Sequence, residues 1–386
     1  MARVKPSPTG AVLALATRLR AEGRDIISLG TGEPDFDTPD AIKAAGIAAI
    51  ESGATKYTPI DGTAELKAAI ARKLQRDNHL KYEPGQILVT SGAKQALYNL
   101  CVALLGPDDE ALIPAPYWVS YPDMVKLADA NPVFIETSID DDFKVTPDQL
   151  ASAITDRTRL LILNSPSNPT GACYTSAELE AFGKVLDAHP DIAVVADEIY
   201  ECIHWAAEPF SSFAEACPSL YERTVTVNGV SKAYAMTGWR IGYAAGPESL
   251  IKSMTTVQSQ STSNASSISQ AAAAAALDGD QAVVTAMVKE YRKRHDYVVA
   301  ALNDIPGFQC RPGEGTFYAL PRVTGAMERL GLADDVALTG HLLETVGVAV
   351  VPGTAFGAPG YIRLSFACSM SELEAAISRI KQAVCA

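Results

Sequence analysis

The sequence has no C-x-x-C pair, no H-E-x-x-H motif and no G-x-x-x-x-G-K-[ST] loop. Its seven cysteines are scattered and odd in number, which favours reduced thiols over a disulfide framework or a zinc site. The missing phosphate loop excludes a P-loop nucleotide hydrolase. The first ten residues lack the apolar core of a signal peptide, and the longest apolar stretch, 271–277, is too short to span a bilayer. We therefore expect a cytoplasmic protein.

Basic residues are fewer than acidic ones. The 386 residues include 32 Lys and Arg against 45 Asp and Glu, which gives a formal net charge of −13. This balance disfavours a non-specific nucleic-acid binder and a binder of anionic membranes, but it permits a locally basic pocket for a small anion. At about 100–200 residues per domain, the length predicts two or three packed units with a cleft between them.

Short β-branched runs alternate with helical patterns through the middle of the chain. The runs are 87–90, 111–113, 132–135, 160–163, 193–196, 224–227 and 241–244. Strands separated by helices predict an α/β fold, a mostly parallel sheet with helices on both faces. We expect residues 41–284 to form this large domain. Residues 1–40 and 285–386 are expected to form a smaller α+β domain with an N-terminal arm.

Ligands bind such sheets beyond the carboxyl ends of the strands, so polar residues that follow strands are candidates for chemistry. Ser91 and Gly92 follow the first run and open a helical pattern, where free N–H groups can bind an anion. An ordinary helix cap explains them equally well. The segment also matches the S-x-x-K nucleophile motif, but so do the segments at Ser249 and Ser378, and K-T-G and S-D-N are absent.

Charged residues at the other strand ends each allow two interpretations. Asp197 either pairs with a cationic ligand group or caps the next helix. Lys232 is either a surface lysine or, beside Asp197 and with a lowered pKa, a nucleophile that forms Schiff bases with carbonyl groups. Arg240 lies in an apolar run punctuated by glycines, which indicates an anionic partner. Arg363 is either on a solvated strand face or a fork for a carboxylate.

Considered together, these groups have a common use. They supply an amine that traps an aldehyde, a carboxylate for a pyridinium nitrogen and a cradle for a phosphate, which is what pyridoxal phosphate requires. The segment 164–171, rich in Pro, Asn and Gly, is either part of this site or ordinary loop chemistry.

The order and spacing of these segments resemble the fold-type-I (class I) aminotransferases of the aspartate aminotransferase family along nearly the whole chain. The specific motifs are N-P-T-G at 168–171, S-K-A at 231–233 and G-W-R-I-G at 238–242. The segments 32–36, 56–59 and 116–121 resemble the bacterial branch that includes aspartate/prephenate aminotransferases. The resemblance implies pyridoxal 5'-phosphate as cofactor, no metal, and no nucleic-acid or membrane partner. It also implies a homodimer in which Tyr57 reaches the phosphate of the neighbouring subunit.

The resemblance also implies which residues hold the cofactor. Lys232 binds it covalently and then shuttles the proton, while Asp197 pairs with the pyridine nitrogen. Tyr200 and Asn168 hydrogen-bond the phenolic oxygen, and Trp118 stacks on the ring. The residues implied around the phosphate are Ser91, Gly92, Ala93, Ser231 and Arg240.

Substrate contacts follow from the same resemblance. Arg363 clamps the α-carboxylate, Gly32 contributes a backbone contact, and Trp118 and Asn168 border the substrate. Lys94 reads a distal carboxylate. The residues of the N-terminal arm implied to assist are Ser7 and Thr9, by their hydroxyls, and Lys5, which is associated with acceptance of prephenate.

We therefore expect an aminotransferase of amino acid biosynthesis that moves the amino group between L-aspartate and 2-oxoglutarate by a ping-pong mechanism. Prephenate is a further candidate substrate. The alternatives are an aromatic or broad-specificity aminotransferase, a Cβ–S lyase or decarboxylase that uses the same cofactor, and a catalytically silent binding protein. The intact set of site residues disfavours the silent protein.

Overall fold

The computed structural model describes Val4 and residues 8–385, without the side chains of Pro8, Thr9, Ala11 and Leu13. The helices are α1 (Pro8–Ala21), α2 (Asp40–Glu51), α3 (Ala64–Asn78), α4 (Ala93–Leu104), α5 (Tyr121–Leu127), α6 (Pro147–Ala153), α7 (Ser176–Leu186), α8 (Phe213–Ala216), α9 (Glu248–Ser259), α10 (Ser267–Asp278), α11 (Ala282–Asn303), α12 (Thr324–Leu330), α13 (Asp335–Val346) and α14 (Met370–Cys385). The strands are β1 (Ile27–Ser28), β2 (Ile87–Thr90), β3 (Glu110–Ala115), β4 (Asn131–Glu136), β5 (Thr158–Asn164), β6 (Ala193–Asp197), β7 (Thr224–Gly229), β8 (Gly242–Ala245), β9 (Tyr318–Ala319), β10 (Val348–Ala349), β11 (Val351–Pro352) and β12 (Ile362–Ser365).

A seven-stranded sheet in the order β2-β8-β7-β6-β5-β3-β4 forms the centre of the molecule. Strands β3 to β7 run parallel, and β8 is antiparallel to both β2 and β7. Every residue of β6 and β7 is buried, because helices cover both faces and leave no side for water. The α/β fold predicted from the sequence, with a mostly parallel sheet, is confirmed.

The helices form two layers, one on each face of the sheet. Leu88 and Ala244 pack in one apolar cluster with α4 and α9. Their chain neighbours Val89 and Tyr243 pack in another with α3 and α10. Successive side chains of a strand point to opposite faces, so the apolar runs of β2 and β8 supply both layers of the core.

A smaller α+β unit lies beside the large sheet. It contains the antiparallel sheet β11-β12-β9 and the parallel pair β1-β10. Its core joins these strands to α11 and α14 through buried residues such as Phe317, Leu364 and Ile380. The domain limits 41–284, 1–40 and 285–386 stay a prediction, and α11 runs across the limit at 284.

The register of the parallel strands brings the predicted polar residues to one edge. Asn164 at the end of β5 pairs with Asp197 at the end of β6, and Asp197 pairs with Val227 of β7. Lys232 follows β7 in a turn that Met236 N closes with a 3.1 Å hydrogen bond to Ser231 O. None of the described helices is long and apolar enough to cross a membrane.

Candidate active site

A cavity of about 520 Å³ opens at the carboxyl ends of the parallel strands, where the small unit faces the large sheet. Residues from both units line it. The predicted site residues among them are Gly32, Ala93, Lys94, Trp118, Asn168, Asp197, Tyr200, Ser231, Lys232, Arg240 and Arg363. The structure therefore brings most of the predicted set together in one place.

Lys232 lies partly buried in this cavity, and its Nζ donates a 2.6 Å hydrogen bond to the carbonyl of Gly32. Burial lowers the pKa of the amine to about 8, and the positive charges of Arg363 and Arg240 act in the same direction. The negative charges of Glu33 and Asp197 oppose the shift. A larger share of this amine is therefore neutral at physiological pH than of an ordinary lysine, and the neutral amine is the nucleophile.

Asp197 is 4% exposed and accepts two hydrogen bonds. Tyr121 Oη donates to its Oδ2 at 2.7 Å, and the backbone N–H of Ile199 donates to its Oδ1 at 3.4 Å. Burial raises the pKa of the carboxyl to about 6, while the two donors and the charge of Lys232 lower it. Asp197 is thus mostly ionised at pH 7 and offers a buried anion to a cationic ligand group.

Arg363 is 3% exposed, which excludes the solvated strand face. Its Nη2 donates to Gly30 O at 2.7 Å and its Nη1 to Asn168 Oδ1 at 3.1 Å, while its Nε has no hydrogen-bond partner within the described part of the chain. Burial lowers the pKa of the guanidinium. Among the residues that the structure describes, no carboxylate bonds to Arg363. A buried arginine with only neutral partners and a free donor is suited to a ligand carboxylate.

An anion cradle lies at the start of α4. Gly92 has φ of +86°, and a Cβ there would lie 2.3 Å from Nη2 of Arg240, so only glycine fits. Arg240 donates from Nη1 to Thr237 O at 3.0 Å and from Nη2 to Ser91 O at 3.2 Å. No described side chain forms a cap hydrogen bond at the start of α4. Helix N–H groups and an arginine together form a site for a phosphate-sized anion.

Aromatic rings border the space between these charges. Trp118 packs edge-on against Tyr121, with ring centres 5.4 Å apart, and Lys94 Nζ lies 4.8 Å from the centre of the Trp118 ring. Burial and the charge of Arg240 lower the pKa of Lys94. Tyr200 is buried, and its hydroxyl lies 2.9 Å from that of Tyr318.

Some predicted residues lie elsewhere. Tyr57 is 94% exposed and lies outside the cavity of its own chain. Lys5, Ser7 and the side chain of Thr9 lie outside the described residues. Gly10, in the first turn of α1, lines the cavity, so the start of this helix does reach the site.

Two tyrosines and an asparagine that line the cavity were not individually predicted as site residues, although Asn164 begins the segment 164–171 considered above. Tyr121 lies in the same P-Y-W-V-S-Y segment as Trp118, three residues later, and that spacing was a usable signal. Asn164 Nδ2 donates to Asp197 O and its Oδ1 accepts from Asn168 N, both at 2.8 Å. Tyr318 comes from β9, and its sequence position gave no signal.

The donor set fits a pyridoxal phosphate group. A partly neutral lysine amine suits the aldehyde, the buried anion of Asp197 suits a pyridinium nitrogen, and the cradle of Gly92 and Arg240 suits the phosphate. The Nε of Arg363, which also lines the cavity, adds a donor for a carboxylate.

Comparison with known proteins gives a consistent result. The model of the family "Aminotransferase class I and II" matches residues 24–380. An aspartate/prephenate aminotransferase of Nitrosomonas europaea is 53% identical over 98% of this chain and 96% of its own length. The crystal structure of an aspartate aminotransferase from Rhizobium meliloti has a TM-score of 0.95 at 46% identity, covering 100% of this chain and 98% of that one. The aspartate aminotransferase of Thermus thermophilus with maleate has a TM-score of 0.93 at 44% identity, covering 98% and 97%.

Proposed function

This chain belongs to the class I and II aminotransferases, and we propose that it transfers the amino group of L-aspartate to 2-oxoglutarate, with prephenate as a further oxo-acid substrate. The observation that carries the proposal is the arrangement of Lys232, Asp197 and Arg363 around one cavity. Relatives named for aspartate and prephenate match almost end to end, which supports these substrates over an aromatic amino donor or a Cβ–S lyase.

We propose pyridoxal 5'-phosphate as the cofactor of this cavity. When bound, it supplies an electron sink for the pair released when the substrate Cα–H bond breaks. Lys232 and Asp197 would hold its aldehyde and its ring nitrogen. Tyr200 and Asn168 would contact its phenolic oxygen, and Trp118 would cover its ring. The groups proposed for its phosphate are Ser91, Gly92, Ala93, Ser231 and Arg240.

The proton transfers fall to Lys232. Its neutral amine would take the proton from substrate Cα, and because the amine has a pKa of about 8 it could then deliver that proton to C4′ of the cofactor within the same cycle. Arg363 fixes the α-carboxylate, which orients the Cα–H bond toward Nζ. Asp197 keeps its negative charge in the same cavity, because the hydrogen bond from Tyr121 stabilises the ionised form.

Lys94 is the residue we propose for the distal carboxylate of a dicarboxylic substrate. It lies beside Trp118 in the cavity lining with an exposed side chain whose pKa is lowered by partial desolvation, and no carboxylate among the described residues pairs with it. A substrate carboxylate next to Lys94 would stabilise the protonated amine and so offset the desolvation that lowers its pKa. Lys5, Ser7 and Thr9 are proposed to assist from the N-terminal arm.

We propose a homodimer in which Tyr57 completes the phosphate site of the neighbouring subunit. Tyr57 is almost fully exposed, and α2 exposes Ile47 and Ile50 at 56% and 55%. Large apolar side chains exposed this close together are typical of a surface that another chain covers. Sedimentation analysis tests the dimer, and recovery of activity on mixing inactive Tyr57→Ala and Lys232→Ala chains tests the shared site.

A spectroscopic cycle tests the function. The purified protein with pyridoxal phosphate should absorb as a coloured enzyme, lose that band on addition of aspartate and regain it with 2-oxoglutarate. Prephenate should regain it as well. Cycling with phenylalanine but not aspartate would refute the dicarboxylate substrate, and release of sulfide, pyruvate or carbon dioxide would favour a lyase or decarboxylase. Lys232→Ala is the control that should show no cycle.

A further inference from the structure

One buried tyrosine of the candidate active site, Tyr318, contacts both Tyr200 and Arg363. Tyr318 is 2% exposed and lies on β9, where it pairs with Ser365 of the arginine-bearing strand β12. Its hydroxyl oxygen is 2.9 Å from that of Tyr200, and its ring centre is 4.4 Å from Cζ of Arg363. Tyr200, proposed to contact the phenolic oxygen, and Arg363, proposed to bind the carboxylate, therefore both have Tyr318 as a neighbour.

The direction of the hydrogen bond between the two tyrosines follows from their chemistry. Both phenols keep their protons, because burial raises the pKa of each. In the proposed reaction Tyr200 donates its proton to the phenolic oxygen of the cofactor. Each hydroxyl has one proton to donate, so the bond between the pair must be donated by Tyr318. A hydroxyl that accepts a hydrogen bond becomes a stronger donor itself.

The ring of Tyr318 has a second use at Arg363. The guanidinium lies between Tyr318 and Phe356, whose ring centre is 4.8 Å from Cζ. Aromatic faces stabilise a buried guanidinium and fix its plane, here with Nη2 on Gly30 O. The fork is thereby held in place before a carboxylate arrives.

The backbone at Gly32 lies close to the Tyr318 hydroxyl and limits movement of the tyrosine side chain in that direction. A Cβ on Gly32 would lie 2.5 Å from the Tyr318 hydroxyl, so the tyrosine occupies the space that any other residue at 32 would fill. The carbonyl of the same glycine accepts from Lys232. Tyr318 is thus fixed by close contact with the segment that also holds the lysine.

We propose that Tyr318 is a positioning residue for the reaction: its hydroxyl strengthens the hydrogen bond that Tyr200 donates, and its ring orients Arg363. The inference rests on the proposed function. The charged groups near the tyrosine pair are Arg363, Asp197 and Lys232, and all three remain in the variants described below.

The test separates the hydroxyl from the ring in the cofactor-loaded enzyme. Tyr318→Phe keeps the ring, so the KM for aspartate should stay within about twofold, while the pH midpoint of the absorbance titration should rise by about 0.3 units because a weaker donor stabilises the phenolate less. Tyr318→Leu removes the ring and should raise the KM for aspartate about tenfold. Tyr291→Phe is the matched control, since the hydroxyl of this buried tyrosine has no hydrogen-bond partner among the residues that the structure covers.

The outcomes are distinct. A wild-type protein that forms no coloured complex would overturn the proposed function, and the role of Tyr318 with it. If the wild type cycles normally but Tyr318→Phe titrates at the same pH as Tyr291→Phe, the proposed role of the Tyr318 hydroxyl is overturned. The proposed function of the protein is not affected by that result. An unchanged KM in Tyr318→Leu would overturn the role of the ring.

Discussion

The hydroxyl of Tyr121 donates a 2.7 Å hydrogen bond to Oδ2 of Asp197 inside the protein, where both side chains are almost fully buried. A hydrogen bond to the ionised form of a carboxyl favours that form, so Tyr121 opposes the burial that raises the pKa of Asp197 to about 6. Tyr121, three positions after Trp118, therefore helps Asp197 at the end of β6 to keep its negative charge.

Replacement of Tyr121 by Phe should raise the pKa of Asp197 further. The protonated carboxyl then accumulates at a higher pH, and the variant should lose activity on acidification before the wild type does. Hydrogen bonds to charged groups contribute about 1.5–3 kcal/mol, so the affinity for pyridoxal phosphate at pH 7 should fall about tenfold or more. Titration of the apo-protein with cofactor at several pH values measures this, with Tyr291→Phe as control. Equal affinities at pH 6 and pH 8 in Tyr121→Phe would contradict the prediction.

The amine of Lys232 should react with aldehydes in a pH-dependent way. Its pKa of about 8 lies below that of an ordinary lysine, so the rate at which apo-protein captures pyridoxal phosphate should rise about tenfold per pH unit below pH 8 and level off above it. Stopped-flow absorbance from pH 6 to 10 gives the profile, after subtraction of the Lys232→Ala signal. A rate that keeps rising to pH 10 would mean that the amine is not perturbed.

The Lys94→Met substitution should separate substrates. It removes the charge proposed to meet a distal carboxylate but keeps the length of the side chain, so kcat/KM for aspartate should fall about 10- to 100-fold, the value of a charge-assisted hydrogen bond. Phenylalanine, which lacks that carboxylate, should lose less than threefold. Lys252→Met on the exposed face of α9 is the control and should change neither. Equal losses for the two substrates would show that Lys94 does not read the second carboxylate.

A buried polar network next to Tyr200 should govern stability. Lys73, 2% exposed, forms an ion pair with Glu201 and donates to Asn78 Oδ1 at 2.7 Å, while Asn78 Nδ2 donates to Glu201 Oε2 at 2.8 Å. Glu201→Gln leaves buried Lys73 with only the more distant carboxylate of Asp77, 3.9 Å from its Nζ, so the loss should lie near the lower end of the range for breaking a buried pair, about 3 kcal/mol. Urea unfolding should show this loss, whereas Asp278→Asn, in an exposed pair with Arg72, should leave the midpoint unchanged. Equal midpoints for the two variants would contradict the prediction.

The sequence predicted the charged part of the site because topology alone brings it together. Parallel strands end at the same edge, so Asp197 and Lys232, each following an apolar run, had to be near neighbours. Strand limits were less exact: the run 241–244 corresponds to β8 at Gly242–Ala245, since periodicity marks the buried stretch rather than the paired residues.

The aromatic part of the site could not be predicted in the same way. Tyr200 and Tyr318 are 118 residues apart in the chain, and their contact depends on how the small unit packs against the large sheet. Alternation in a strand assigns a side chain to a face but does not identify what lies opposite. For the same reason Arg363 kept two interpretations until its burial was known.

Gly30 and Gly32 have a joint role that neither has alone. Their carbonyls, two residues apart, accept hydrogen bonds from Arg363 and Lys232 respectively. A ligand carboxylate that binds Arg363, or a carbonyl compound that reacts with Lys232, must replace the hydrogen bond to Gly30 O or to Gly32 O. Loss of that hydrogen bond reduces the net free energy of binding. Since the two oxygens belong to the same stretch of backbone, a change in the path of residues 30–32 would alter both hydrogen bonds, so a substitution in this segment is expected to affect the lysine and the arginine together.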